Sequence, residues 1–264
     1  MSKRVLQMIM LLLLIVLFVL PVGFMFIKSF TFSLRWPSLI PDTFTLRAWA
    51  VIWQDPQLTS ALQTTLIIGV SVVVLNMILA TPAAYVLSHF YFRGKAVVET
   101  IILLPLLIPV LAIAMGMHLA MIRVGLADSI MGVILIHLLP TLPYSVRVLK
   151  AGFDRISPTW IEQGAVLGVN GWKSFITGIL PMMLPSLRTM AVLTFVISLS
   201  QYVLTAIIGG GRVATLPLIY YPYFSSTNEA VVAGFSVLFA LLPIVFLLLM
   251  EATMLLYMRV LRRA

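Results

Sequence analysis

Cysteine and charge are what this 264-residue sequence has least of. It contains no cysteine, which excludes a disulfide framework, a thiolate metal site and a cysteine nucleophile. Charged residues make up only 9% of the chain, whereas soluble domains carry about 25%. With 62% hydrophobic residues and a mean hydropathy of +1.14, the composition predicts an integral membrane protein.

Residues for catalysis or metal binding are also scarce. The phosphate-binding pattern G-x-x-x-x-G-K-[ST] is missing, because the glycine-rich stretch at 209–212 reads GGGR and lacks the lysine. His118 and His137 are isolated from carboxylates in the sequence, which favours hydrogen bonding between helices over metal binding. We therefore expect no enzyme activity, cofactor site or metal site in this chain.

Long uncharged runs predict an all-α membrane protein. A helix needs roughly 20 apolar residues to cross the hydrocarbon, and six runs meet or approach that length. They are Val5–Ile27, Pro56–Ser88, Thr100–Ile122, Ser129–Val146, Thr189–Gly211 and Ala230–Met250. The fourth is the shortest and contains Pro140 and Pro143, which favours a tilted or broken helix. The first is too long for a cleaved signal peptide and is expected to be a retained helix.

The placement of positive charge predicts the orientation. The net charge is +9, but its distribution along the chain argues against nucleic-acid binding. If the N-terminus is cytoplasmic, five basic residues lie outside and the other 12 of the 17 lie inside. The outer ones are Lys28, Arg35, Arg47, Arg123 and Arg212. The positive-inside rule then places both termini, and the segment between the fourth and fifth spans, in the cytoplasm.

That segment, Glu162–Pro181, reads EQGAVLGVNGWKSFITGILP and is compact, charged and punctuated by glycine. Ser157 and Pro158 are typical of a helix N-terminus. Gly168 can end this helix in the left-handed conformation, and Asn170 can cap the next one. We predict a helix of roughly two to three turns whose apolar face docks on a partner. An amphipathic helix lying among lipid headgroups is the alternative.

The segment resembles the EAA loop of permease subunits in binding-protein-dependent ATP-binding-cassette (ABC) importers. The family pattern is E-A-A, three residues, G, nine residues and I-x-L-P. The matching residues are Glu162, Gly168, Leu180 and Pro181. Gln163 and Gly164 replace the two alanines, and Gly178 stands where the family usually has isoleucine. The stretches Thr43–Trp53 and Thr81–Lys95 also resemble family segments, so the similarity covers most of the chain.

The resemblance implies a fold and a segment that couples the chain to an ATPase. The fold would be six transmembrane helices of the type I ABC importer permease kind, with a cytoplasmic coupling helix between spans four and five. Residues 1–264 would form one transmembrane domain, with the permease core at about 59–259 and the first span and external loop at 1–58. The ATPase-coupling residues would be Ile161, Glu162, Gln163, Gly164, Ala165 and Gly168.

The resemblance also implies partners and a location. These are an ATPase dimer that binds ATP and magnesium, a second permease subunit, an external solute-binding protein and the lipid of a bacterial inner membrane. The layout is nearest to permeases for spermidine/putrescine, thiamine, ferric iron and phosphonate. Ser200-Gln201-Tyr202 lacks the acids that such subunits often have there, which argues against a polyamine cargo.

Five polar residues are candidates for the lining of a translocation pathway: Asn76, Ser198, Gln201, Tyr202 and Thr205. Hydrogen bonding between helices is the alternative role for them. The stretch Gly209–Pro217 is predicted to be a flexible external turn that serves as a gate, as a docking surface or as a plain loop.

Two other functional classes remain open. A secondary transporter or channel would need no ATPase, but Glu99 and Glu251 lie near span ends rather than at the midplane, which disfavours ion coupling. A scaffold subunit of a membrane enzyme complex is the other. An ATPase that co-purifies with the chain would select the importer.

Overall fold

The computed structural model describes residues 3–32, 43–157, 159, 166, 168, 170–225 and 228–261. Within these ranges the secondary structure is helical apart from one isolated bridge between Thr31 and Phe44, which confirms the all-α class. The α-helices are α1 (Lys3–Leu14), α2 (Leu20–Lys28), α3 (Arg47–Gln54), α4 (Leu58–His89), α5 (Lys95–Leu103), α6 (Val110–Arg123), α7 (Ile130–Phe153), α8 (Gly171–Ser174), α9 (Leu180–Leu199), α10 (Tyr202–Ile208), α11 (Leu216–Tyr220) and α12 (Glu229–Leu261). Single π-helical turns, Ile15–Val19 and Phe175–Ile179, join α1 to α2 and α8 to α9.

Helices long and apolar enough to cross a membrane make up most of the described chain. Five are continuous: Arg4–Lys28, Leu58–His89, Ile130–Phe153, Phe175–Leu199 and Glu229–Val260. A further pair, Lys95–Leu106 and Val110–Arg123, bends by 97° at its break. The predicted number of six spans is reached when this bent pair counts as one.

The break lies in the third span, whereas we predicted a tilted or broken helix for the fourth. Pro109, with φ −54° and ψ 131°, disfavours a helical Ile108 and donates no backbone hydrogen bond, which favours the end of the helix at this point. In contrast, α7 runs without interruption through Pro140 and Pro143, so the fourth span is not broken and its tilt stays a prediction. Tertiary packing explains this: 56% of its most apolar window is buried, the highest share among these helices.

The fifth span begins earlier than the sequence indicated. We expected Thr189–Gly211, but the helix covers Phe175–Leu199 and ends before Gln201. Arg188 was the reason for the late start, because a charged residue ended the uncharged run. In the structure its Nη1 donates to Glu251 Oε2 at 2.8 Å, so the charge is paired on a half-exposed helix face and the helix passes through.

The described residues form two compact units, each considered by itself. The first takes in residues 1–61 and 218–242. Within it, the Lys28 ammonium pairs with Glu229, and the Tyr223 hydroxyl donates to Asp55 Oδ2 at 3.1 Å. None of the apolar window of Arg4–Lys28 is buried, so this helix offers its whole circumference to its surroundings.

The second unit, residues 62–217 and 243–264, contains two buried clusters. One joins α4, α7 and α9 around Leu149, Phe153 and Met190. The other joins α4, α6, α7 and α10 around Ile136, Leu204 and Ile208. Both α4 and α7 contribute to the two clusters, but the buried share is larger for α7, at 56% against 33% of the apolar window, so we call α7 the central helix of this unit.

Candidate functional site

Most of the predicted coupling helix falls outside the described residues. Ile161, Glu162, Gln163, Gly164 and Ala165 are among those outside. Thr159 and Val166 are helical, and the Val166 side chain is 87% exposed. An apolar side chain this exposed can become buried only against another molecule, in this case protein or lipid.

The end of the predicted coupling helix has the backbone that we expected. Gly168 has φ +71°, the left-handed conformation that ends helices, and no described atom lies within 4 Å of the position of an added Cβ. The Asn170 carbonyl accepts the Ser174 N–H at 2.8 Å, and the next helix, α8, begins at Gly171. Here the chain therefore turns between two helices within about three residues.

The other side of this segment is tied to the bundle through Asp154. Ser88 Oγ, near the end of α4, donates to Asp154 Oδ1 at 2.6 Å, and Lys150 Nζ donates to Oδ2 at 3.1 Å. Burial raises the pKa of Asp154, but these bonds, together with the charges of Lys150 and Lys95, outweigh it and hold that pKa below its ordinary value. The carboxylate thus links the end of α4 to the turn that follows α7.

Polar side chains at four-residue spacing line one face of α7. They are His137, Thr141 and Ser145, all buried. Asn76 Nδ2 on α4 donates to Thr141 Oγ1 at 2.9 Å, and the Ser145 and Thr194 hydroxyls lie 2.9 Å apart, joining α7 to α9. Residues at i and i+4 share a helix face, so this row presents hydrogen-bonding groups to three neighbouring helices.

His137 is at one end of this row and contacts two predicted pathway residues. Its Nδ1 lies 2.9 Å from Ser198 Oγ, and its Nε2 lies 3.0 Å from Thr205 Oγ1. Thr205 Oγ1 is 2.6 Å from the Gln201 carbonyl, which can only accept, so the single hydroxyl hydrogen is used there. Therefore Nε2 carries the hydrogen and donates to Thr205, while Nδ1 accepts from Ser198.

The predicted pathway residues differ in their surroundings. Asn76, Ser198 and Thr205 are buried and hydrogen-bonded within the second unit, although Asn76 Oδ1 accepts no hydrogen bond from the described residues. Gln201 lies in the break between α9 and α10, where its Nε2 donates to the Ile197 carbonyl at 3.1 Å. Tyr202 begins α10, and both are only partly buried.

The glycine-rich stretch after α10 is anchored rather than free. Gly210 and Gly211 have φ of +51° and +76°, as glycine permits. The Asp128 carboxylate lies against Gly210, so closely that an added Cβ would come within 1.8 Å of Oδ1. Val213 is buried, and Leu216 N–H donates to Thr65 Oγ1 at 2.8 Å. These contacts hold 213–216 against the neighbouring helices, and the flexibility of Gly209–Pro217 stays a prediction.

The predicted hydrogen bonding between helices is confirmed for His137, but its partners were not predicted. They are hydroxyls from residues 61 and 68 positions away. The available signal was the spacing of His137, Thr141 and Ser145 along one helix face. Among the described residues, no group of three His, Cys, Asp or Glu could hold a metal ion.

Comparison with known proteins finds a matching family and several relatives for this chain. The family described as "Binding-protein-dependent transport system inner membrane component" matches residues 76–263. The diacetylchitobiose uptake system permease protein NgcG of Streptomyces coelicolor is 26% identical over 192 residues, which cover 72% of this chain and 64% of NgcG. The molybdate/tungstate transport system permease protein WtpB of Thermococcus kodakarensis is 24% identical over 147 residues, covering 56% of this chain and 59% of WtpB.

A solved structure shares the fold over nearly the whole chain. It is the crystal structure of a bacterial ABC transporter involved in the import of the acidic polysaccharide alginate, with a TM-score of 0.72. The likeness covers 96% of this chain and 98% of that one at 18% identity. The fold therefore matches a chain of an ABC transporter, and the family match covers most of the sequence. The protein belongs to the family of binding-protein-dependent transport system inner membrane components.

Proposed function

We propose that this chain is a permease subunit of an ATP-driven importer and forms half of a solute pathway across the inner membrane. The observation that carries this proposal is the family match over 76–263, which includes the central helix α7 and the segment that follows it. The chain itself is a transport component and not an enzyme. ATP and Mg²⁺ would be bound by a partner ATPase.

Coupling to the ATPase would occur through the segment between α7 and α8. In this proposal Ile161, Glu162, Gln163, Gly164, Ala165 and Gly168 dock into a groove of the ATPase, and nucleotide-driven closure moves the segment. The exposed Val166 and the turn at Gly168 support this role. The bond between Ser88 and Asp154 would pass the movement on to α4.

The pathway would be lined by Gln201 and Tyr202 at the break between α9 and α10, with Asn76, Ser198 and Thr205 behind them. Non-helical backbone at membrane depth is tolerated where it is buried in protein or lines a cavity, so partly buried polar side chains at a helix break can face a solute. The hydrogen bonds of Ser198 and Thr205 to His137 support a structural role for these two residues.

The partners would be an ATPase dimer, a second permease subunit and an external solute-binding protein, with residues about 59–259 as the permease core. For cargo we favour a solute other than a polyamine, since Ser200-Gln201-Tyr202 offers no carboxylate at the break. Within the wider family, the layout supports the spermidine/putrescine, thiamine, ferric-iron and phosphonate group. The names of the two relatives refer to other solutes, diacetylchitobiose and molybdate/tungstate.

Co-purification tests the proposal. When the tagged chain is solubilised in mild detergent from its own host, we expect an ABC-type ATPase to remain bound through size exclusion, and the complex to hydrolyse ATP. A chain that elutes without any ATPase after chemical cross-linking in the membrane would support the secondary transporter or channel instead.

The orientation is a separate prediction. A reporter fused after Arg155 should show cytoplasmic activity, whereas a reporter fused after Thr45 should show external activity, because most basic residues then lie inside. External activity after Arg155 together with cytoplasmic activity after Thr45 would reverse the topology. The coupling segment would then lie on the side of the membrane that has no ATPase.

A further inference from the structure

The helix is interrupted at Gln201, between α9 and α10. Gln201 has φ −80° and ψ 74°, outside the helical region. The backbone bonds across it are short-range: Gln201 N–H donates to the Ser198 carbonyl at 3.2 Å, and Tyr202 N–H to the Ser200 carbonyl at 3.0 Å. These bonds close turns but do not fix the angle between the two helices, because no helical ladder runs across Gln201.

His137, on α7, contacts residues on both sides of this break. Its Nδ1 bonds Ser198, the second-last residue of α9, and its Nε2 bonds Thr205, one turn into α10. The imidazole is 2% exposed and sits on the uninterrupted helix α7. One rigid ring therefore connects the two halves of a discontinuous segment to the central helix of the unit.

We propose that His137 is a positioning residue: it braces the break between α9 and α10 and thereby fixes Gln201 and Tyr202. The claim that this matters for transport rests on the proposed function, whereas the brace itself does not. An imidazole suits the position because Thr205 needs a donor and Ser198 an acceptor, and the two ring nitrogens supply them on different edges. Glutamine and asparagine carry both groups at one end of the side chain.

Packing of Leu204 and Ile208 holds α10 against α6 and α7, and the two hydrogen bonds of His137 add a polar link at the break itself. The small cavity beside the ring is lined by uncharged residues, among them Thr65, Leu199 and Thr215. Replacement of His137 by phenylalanine keeps a ring of similar size and removes both bonds. The Thr205 hydroxyl keeps its bond to the Gln201 carbonyl. The substitution thus removes the brace without leaving Thr205 unpaired.

Distance measurement tests the brace. Because the chain has no cysteine, spin labels can be placed specifically at Val196→Cys on α9 and Ala206→Cys on α10 of the purified full-length chain in nanodiscs. We expect one narrow distance distribution in the parent and a broader or shifted one in His137→Phe. Two lost interhelical bonds correspond to a change of roughly threefold to eightfold in the ratio of braced to unbraced chains.

Ser145→Ala is the matched control. It also removes a buried 2.9 Å contact between α7 and α9, but one that does not span the break, so the distribution should stay narrow. Ser198→Ala removes one arm of the brace and should broaden the distribution even if His137→Phe fails to reach the membrane. Equal distributions in the parent and Ser198→Ala, or equal broadening in Ser145→Ala, would overturn the proposal.

A second readout separates the brace from the pathway. In the complex carrying Gln201→Cys, a water-soluble maleimide should react at rates that differ between the nucleotide-free and the ATP-vanadate-trapped states if Gln201 lines an alternating pathway. His137→Phe should reduce this difference. If the labelling rate is the same in both nucleotide states while the spin-label distances still depend on His137, the positioning role of His137 is supported and the pathway role of Gln201 is wrong.

Discussion

Gly168→Val is expected to uncouple the transporter while leaving it in the membrane. Gly168 has φ +71°, where an ordinary side chain costs about 1–2 kcal/mol and a β-branched one is a clear outlier. No described atom lies within 4 Å of the added Cβ, so the effect would come from the backbone alone. ATPase retained by the purified chain, and ATP hydrolysis per chain, should fall roughly fivefold to thirtyfold.

Two variants make this prediction specific. Gly168→Asn adds a side chain that tolerates the left-handed conformation and should keep most of the bound ATPase. Gly171→Ala adds a methyl group three residues later, where φ is not positive and no described atom lies within 4 Å, and should resemble the parent. Equal ATPase binding by Gly168→Val and Gly168→Asn would mean that the turn at Gly168 does not position a coupling helix.

The fold class could be predicted because the apolar runs of a membrane protein are long and each has the single task of crossing the hydrocarbon. Every lipid-exposed backbone group must be paired, so each run becomes a helix. The exceptions have tertiary causes. Arg188 looked like the end of a helix because its partner Glu251 is 63 residues away. Pro140 and Pro143 looked like breakers, yet α7 is packed on so many sides that it continues through them.

The candidate site was predicted in part for a similar reason. The glycine at 168 signals a backbone conformation that depends on neighbouring residues alone, and the structure has that conformation. The role of His137 depends on Ser198 and Thr205, which only the tertiary fold brings to it. A sequence shows which residues can make hydrogen bonds across a membrane bundle, and the packing of the helices decides which of them do.

Gly152→Ala should destabilise the second unit because α9 lies directly against α7 at Gly152. A Cβ at this position would lie 2.4 Å from Ser186 Oγ and 2.7 Å from Ser186 Cβ, so one of the helices would have to move. Overpacking of this kind costs about 1–3 kcal/mol, and small residues are what allow membrane helices to approach. We expect a lower melting temperature of the detergent-solubilised protein, followed as the monodisperse fraction after heating.

A double variant that removes the glycine from α7 and places one on α9 is the control for this clash. Gly152→Ala combined with Ser186→Gly removes the two nearest of the three atoms that the new methyl group would meet, and leaves only the flexible end of Met183 at 3.0 Å. It should recover much of the lost stability although it adds a glycine to α9. Gly116→Ala, in a helix position with no described atom within 4 Å of the added methyl group, should not lower the melting temperature. A double variant no more stable than Gly152→Ala would show that the loss does not come from the contact with Ser186, because removal of the clashing atoms would then have changed nothing.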